Sequence, residues 1–204
     1  MDLLSQHLDE ANFVVVDVET TGMSAIDGRM TEIAMMKVHN GILVDEFSTL
    51  INPLMTISNF ITDLTGIDNL MVQDAPTARE IIPDVAEFLK DSVFVAHNAA
   101  FDWAFVWHAA KRERGIELEN PRLCTVKLSR RILPYLPSRS LGPLSEYLDV
   151  KIPQRHRASG DAYATAMILI KFLSYVKKKE ALQTVEELLR YQHSRRIPVI
   201  AQES

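Results

Sequence analysis

The chain has 204 residues, 22 Lys+Arg against 27 Asp+Glu for a formal net charge of -5, and a content of 47% hydrophobic and 24% charged residues. This suits a globular protein of one ordinary domain, or at most two small ones, able to bury roughly 70% of its unfolded surface without staples. One cysteine excludes an internal disulfide, no apolar run reaches the ~18 residues that span a bilayer, and the acidic first twelve residues lack the pattern of a secretory leader, so a cytoplasmic protein with no membrane partner is expected.

In chain order, Phe13 to Val18 is a short β-branched run, read as a buried strand ended by the turn residues Thr20-Thr21-Gly22. Glu32 to Val38 and Ile42 to Ile51 read as two more strands joined at Asn40-Gly41, a strong hairpin signal, which gives an antiparallel meander. Ser58 or Asn59 caps a short helix ending near Gly66. Ala75-Pro76-Thr77 opens a helix through Ile81, Ile82, Val85, Phe88 and Leu89, with Pro83 inside it as a source of a kink. Val93 to Ala96 is a buried strand, followed by a helix from Ala99 to Gly115 and a last strand over Arg122–Thr125. Short helices follow near 126–133 and 140–148, then a basic loop over 150–158, an apolar helix over 160–176 and a further helix over 180–191. The order predicts an α/β fold, a mixed five-stranded sheet flanked by helices. Residues 1–178 are read as the functional domain and 179–204 as a C-terminal helix and tail.

Net acidity by itself argues against a nucleic-acid partner. The charge is unevenly placed, however. Residues 1–121 hold 7 basic and 20 acidic side chains, whereas 122–157 hold 8 basic and 2 acidic. The basic block is either solvated surface or a phosphate-facing stretch.

Four acids stand where this order of elements places functional groups. Asp17 and Glu19 are two apart on the first strand and so share a face. Asp102 enters the first turn of the helix after the strand at 93–96, and Asp161 opens the 160–176 helix five residues after His156. Each has an ordinary reading when taken singly: a strand-end pair, an acid offsetting a helix dipole, a capping acid, a solvated loop histidine. Taken together they predict four like charges in one pocket, which requires cations. An all-oxygen set suits Mg²⁺ or Mn²⁺, and two such ions form a clamp for in-line phosphoryl displacement. A histidine titrates near neutral pH and suits a general base toward water.

Asp17-Val-Glu-Thr-Thr-Gly22, His97-Asn-Ala-Ala-Phe-Asp102 and His156-Arg-Ala-Ser-Gly-Asp161 resemble, in order, the three motifs of the DnaQ-like 3′–5′ exonucleases in their histidine-containing (DEDDh) form. Ile61 to Ile67, Asp74-Ala-Pro76, Cys124 to Arg131 and Ser140 to Leu148 are similar to the connecting segments, so the resemblance covers about residues 11–175. It is nearest to the proofreading subunits or domains of bacterial replicative polymerases. The resemblance implies a ribonuclease-H-like fold and two divalent cations on Asp17, Glu19, Asp102 and Asp161. It also implies His156 as general base and release of 3′-terminal nucleotides as 5′-monophosphates. Single-stranded 3′ ends are the expected partner, DNA favoured over RNA, with a DNA polymerase as a further one.

For substrate contact the resemblance points to backbone donors at Thr20, Thr21 and Gly22 and an apolar wedge at Met23. Phe101 has an aromatic face that stacks on any base, and Asn98 and Arg155 are candidate polar contacts. Met23 is alternatively plain loop packing, Asn98 a helix cap and Phe101 core. His97 reads as structural, and Cys124, where many relatives have Asp, as a small buried hydrophobe. Two competing readings are an exoribonuclease and a non-catalytic binding module. The second is disfavoured because binding alone has no need of four clustered acids and a base.

Overall fold

The computed structural model describes residues 2–153 and 156–194. After a short 3-10 turn at Leu3–Ser5, three strands follow, β1 (Asn12–Thr20), β2 (Met30–His39) and β3 (Ile42–Leu50). Helices α1 (Asn59–Thr65), α2 (Asn69–Val72) and α3 (Ala78–Leu89) lead to β4 (Ser92–Ala96), α4 (Ala99–Arg114) and β5 (Arg122–Cys124). Four helices complete the fold: α5 (Thr125–Ile132), α6 (Leu141–Tyr147), α7 (Ala158–Lys179) and α8 (Val185–Tyr191).

The five strands form one sheet in the order β3-β2-β1-β4-β5. The β1–β2 and β2–β3 pairs are antiparallel, whereas β1–β4 and β4–β5 are parallel. The expected meander and mixed sheet are therefore present. Asn40 (φ 49°) and Gly41 (φ 71°) take the left-handed conformations that a tight primed hairpin turn demands.

β1 is central, and its valines serve both faces, as a strand covered on both sides requires. Phe13 and Val15 pack with Ala162, Ala166, Leu169 and Phe172 of α7. Val14, Val16 and Val18 pack with α3 and α4 through Ile82, Val85, Phe105 and Val106. Val185 and Leu188 of α8 are buried in the same core as α7.

Pro83 lies inside α3 without ending it. Proline has no N–H to give the carbonyl four residues back, which is that of Arg79. The Arg114 Nε donates to that carbonyl at 2.7 Å, so the lost helical bond is replaced by a tie to α4. Helix bounds differ from expectation at α7 and α8, and α2 is additional. α8 starts at Val185 rather than at 180, capped by the Thr184 hydroxyl, which accepts the Glu187 N–H at 3.3 Å. The four-residue α2 is too short for a periodicity signal, and the Asp68 carboxylate caps it by accepting from the Met71 N–H at 2.8 Å. α7 begins at Ala158, two residues before the expected start, for a reason that lies in β2.

Candidate metal centre and active site

Asp17 and Glu19 continue the Phe13/Val15 face of β1 and so lie on the α7 side of the sheet. Asp161 stands in the first turn of α7. One carboxylate oxygen from each of these three residues lies within 4.8 Å of the others. Asp161 is thus not the capping acid that its place after Ser159-Gly160 suggested. The helix is already under way at Ala158, and Asp161 faces the strand acids.

Asp102 comes from the opposite layer. It is buried in the first turn of α4, and its Oδ1 accepts the Val18 N–H at 3.3 Å. The β1–β4 pairing ends at Val15, so this amide lies past the end of its neighbour strand, and the carboxylate supplies the missing acceptor.

The electrostatics follow from burial and like charge. Burial, then Asp102, Asp161, Glu19 and Glu32, hold the Asp17 carboxyl well above its ordinary range. Glu19 is pushed up to about 7 by burial and then by Asp161, Glu32 and Asp102, with Arg157 opposing. Burial pushes Asp102 up to about 7 as well, against the stabilising effect of its backbone hydrogen bonds. The acids therefore resist full ionisation near neutral pH unless a cation joins them. Three converging carboxylate oxygens fit hard divalent cations.

His156 is exposed and takes a positive φ of 61°. Its backbone N–H donates to Asp161 Oδ2 at 3.3 Å, which sets the residue beside the acid cluster. Arg155 lies outside the described residues.

The residue that the sequence reading passed over is Glu32. It is 3% exposed and stands opposite Glu19 in the β1–β2 register. Both its oxygens are occupied: Arg157 donates from Nη2 at 2.6 Å, and the Ala158 N–H donates at 2.9 Å. Glu32 served as the first residue of the expected strand, where an exposed acid is unremarkable. β2 actually starts at Met30, and that placement turns Glu32 into a buried charge.

The expected substrate residues separate. The Thr20 hydroxyl donates to the Gly22 carbonyl at 2.7 Å, and the Thr21 hydroxyl accepts the Arg29 N–H at 3.0 Å, so both shape the 20–29 loop. Gly22 is partly exposed, with nothing within 4 Å of a would-be Cβ. Met23 is 84% exposed, which excludes plain loop packing. Asn98 is exposed and makes no side-chain cap bond, contrary to the cap reading. Phe101 is partly buried, its ring centroid 5.0 Å from that of Phe105. His97 is structural as expected, bridging Thr125 Oγ1 at 2.9 Å and the Arg139 carbonyl at 2.8 Å. Cys124 is buried.

The basic block is partly spent inside the protein. Arg139 donates to the Leu133 and Pro134 carbonyls, Arg157 to Glu32, Arg131 covers the Tyr191 ring and Arg122 the Trp103 ring. Arg122, although over that ring, is exposed, as are Lys127, Arg130 and Lys151.

A family model described as Exonuclease (RNase T type) matches residues 14–169. The chain is 46% identical over 169 residues to a PolC-type DNA polymerase III of Caldanaerobacter subterraneus subsp. tengcongensis, covering 83% of this chain and 12% of the relative. It is 39% identical over 182 residues to the PolC-type DNA polymerase III of Bacillus subtilis, covering 89% and 13%. The chain thus spans about an eighth of these relatives. Among solved structures it resembles exonuclease X in complex with 5′-overhanging duplex DNA, with TM-score 0.69, 28% identity, and coverage of 88% of this chain and 99% of that one. It shares a fold with exonuclease I at TM-score 0.71 and 17% identity, covering 89% and 43%.

Proposed function

The chain belongs to this exonuclease family, and from that premise we propose that it removes 3′-terminal nucleotides one at a time from single-stranded DNA as 5′-monophosphates. The observation that carries the reading is the convergence of Asp17, Glu19 and Asp161 oxygens within 4.8 Å, with Asp102 buried behind them. In this reading the four acids hold two divalent cations, Mg²⁺ or Mn²⁺. Bound ions of this kind activate water and stabilise the leaving oxygen. His156 accepts a proton from the attacking water, and its exposure leaves the imidazole free to swing toward it. Met23, held out by the 20–29 loop, wedges against the terminal nucleotide, and Phe101 offers a ring edge beside it. Thr20, Thr21 and Gly22 contribute backbone, and Asn98 and Arg155 polar contacts to the phosphates. Residues 1–178 form the exonuclease domain, and α8 belongs to the C-terminal stretch that follows it.

DNA is favoured over RNA because the relatives are named as DNA polymerases and exonuclease X is bound to DNA. The same names support a proofreading role beside a polymerase. The test is digestion of 3′-labelled and 5′-labelled DNA and RNA oligonucleotides with Mg²⁺ or EDTA. Expected is metal-dependent release of the 3′ label from DNA as mononucleotide, abolished in Asp17→Asn. Faster turnover of RNA would move the substrate assignment, and equal activity in Asp17→Asn would sink the mechanism.

A further inference from the structure

We infer that Glu32 and Arg157 are a positioning pair: a carboxylate anchored in the sheet fixes the start of α7, and through it the placement of both Asp161 and His156. This rests on the exonuclease reading above.

A buried glutamate opposite Glu19, beside three more acids, is unfavourable unless it is fully compensated. Here it is. Arg157 approaches side-on, with Nε at 3.2 and 3.1 Å from the two oxygens and Nη2 at 2.6 Å from Oε1. The Ala158 N–H completes the set at 2.9 Å from Oε2. With both oxygens engaged, Glu32 stays outside the converging trio of Asp17, Glu19 and Asp161.

Local sequence gives α7 no cap. Its N-cap residue is Arg157, whose side chain carries no acceptor and makes no cap bond. Helix starts need an acceptor and favour negative charge. Glu32 supplies both from another element, and this lets the helix run two residues upstream of Gly160. Asp161 sits less than one turn after the anchored amide, and His156 directly precedes Arg157. His156 also takes the left-handed φ of 61° and is tied to Asp161 by its N–H, so the segment from 156 to 161 is a closed turn that Glu32 anchors to the sheet at Arg157 and Ala158. The strand acids and the helix acid come from different elements, and Glu32 joins those elements at the site. Arg157 in addition opposes the like charge at Glu19.

The experiment uses the full chain with Glu32→Ala, Glu32→Gln and Arg157→Lys. Steady-state kinetics on single-stranded DNA are read together with amide hydrogen exchange of the EDTA-treated protein. A misplacement of about 1 Å at such a site lowers kcat by about 100-fold in Glu32→Ala, with KM changed by less than about threefold. Glu32→Gln keeps an acceptor for Ala158 and Arg157→Lys keeps the charge, so each loses less than Glu32→Ala. Exchange over 158–161 quickens at least about tenfold in metal-free Glu32→Ala, while β1 and α4 are unchanged. If Glu32→Ala does not fold, the Glu32→Gln pair of measurements decides. A folded variant with wild-type kcat and unaltered exchange at 158–161 overturns the proposal. Lost activity that merely tracks a lowered Tm, with exchange raised everywhere, overturns it as well. If the wild type releases no nucleotide, the exonuclease reading has failed, and the exchange measurement still judges the anchor.

Discussion

At Asp17 every influence acts in one direction: burial and four neighbouring carboxylates all favour the neutral acid. Two consequences can be measured. Asp17→Asn replaces a carboxyl that the fold must either protonate or hold against its neighbours' charge with a neutral amide, so activity disappears while the metal-free protein becomes more stable. Relief of about 1 kcal/mol corresponds to a Tm rise of about 2–4 °C for a chain of this size. A mutation that merely damaged the fold would lower both. The second consequence is a pH dependence. Glu19 and Asp102 are both held at about 7, above their ordinary values, so the folded protein binds protons that the unfolded chain releases. Their stabilising effect is fully present at acid pH below the unfolded values and is lost as pH rises through about 7. Thermal melts in EDTA should therefore show Tm falling between pH 5 and pH 8, and millimolar Mg²⁺ should remove the fall. A Tm independent of pH in EDTA would show that the acids are not coupled as described. The four acids and His156 were all singled out as candidates from type, spacing and motif resemblance. Glu32 was not, because a single acid at the start of an apolar strand has no motif around it.

At the scale of elements, the fold completes several hydrogen-bond sets with side chains distant in sequence. Asp102 supplies the acceptor for Val18, and Arg114 the donor for the carbonyl that Pro83 leaves unpaired. The edge strand β5 is closed the same way. The Gln192 amide, 6% exposed, accepts the Cys124 N–H at 3.0 Å and donates to the Arg122 carbonyl at 2.9 Å, standing in for a sixth strand. Gln192→Ala leaves the Cys124 amide buried without a partner, a cost of about 1–3 kcal/mol. Chemical denaturation should show that loss as a lowered midpoint. A midpoint equal to wild type would mean that water or a shifted side chain satisfies the edge. Strands and long helices were readable from period and turn residues. The true start of α7 was not, because its cap lies in β2.

For the whole molecule, the sheet brings the site together where β1 runs past the end of β4. There Asp17 and Glu19 face α7 on one side, and Asp102 reaches in from α4 on the other. Ligands of open α/β sheets gather at the carboxyl ends of strands for this reason. Assembly of a cation site only in the folded state ties metal binding to stability. Mg²⁺ at a hundredfold excess over its Kd should raise Tm by about 5–10 °C at pH 7.5. The rise should vanish in Asp17→Asn, as differential scanning calorimetry would show. The net charge of -5 is likewise a property of the whole that misleads about the part: three of the 27 acids converge in this cluster with Asp102 buried beside them, and four of the eight basic residues of 122–157 engage other parts of the chain.

The sequence by itself determined the strands, the mixed sheet flanked by helices and the choice of four acids as candidates, because hydrophobic period, turn chemistry and residue spacing are local properties of the chain. Only the tertiary structure decided that Asp161 faces the strand acids rather than capping its helix, that the Asn98 side chain makes no cap bond, and that part of the basic block is engaged by the chain itself. It alone revealed Glu32, 125 positions from Arg157, as the link between sheet and α7. A buried charge is specified by its partners, and those are chosen when the elements pack.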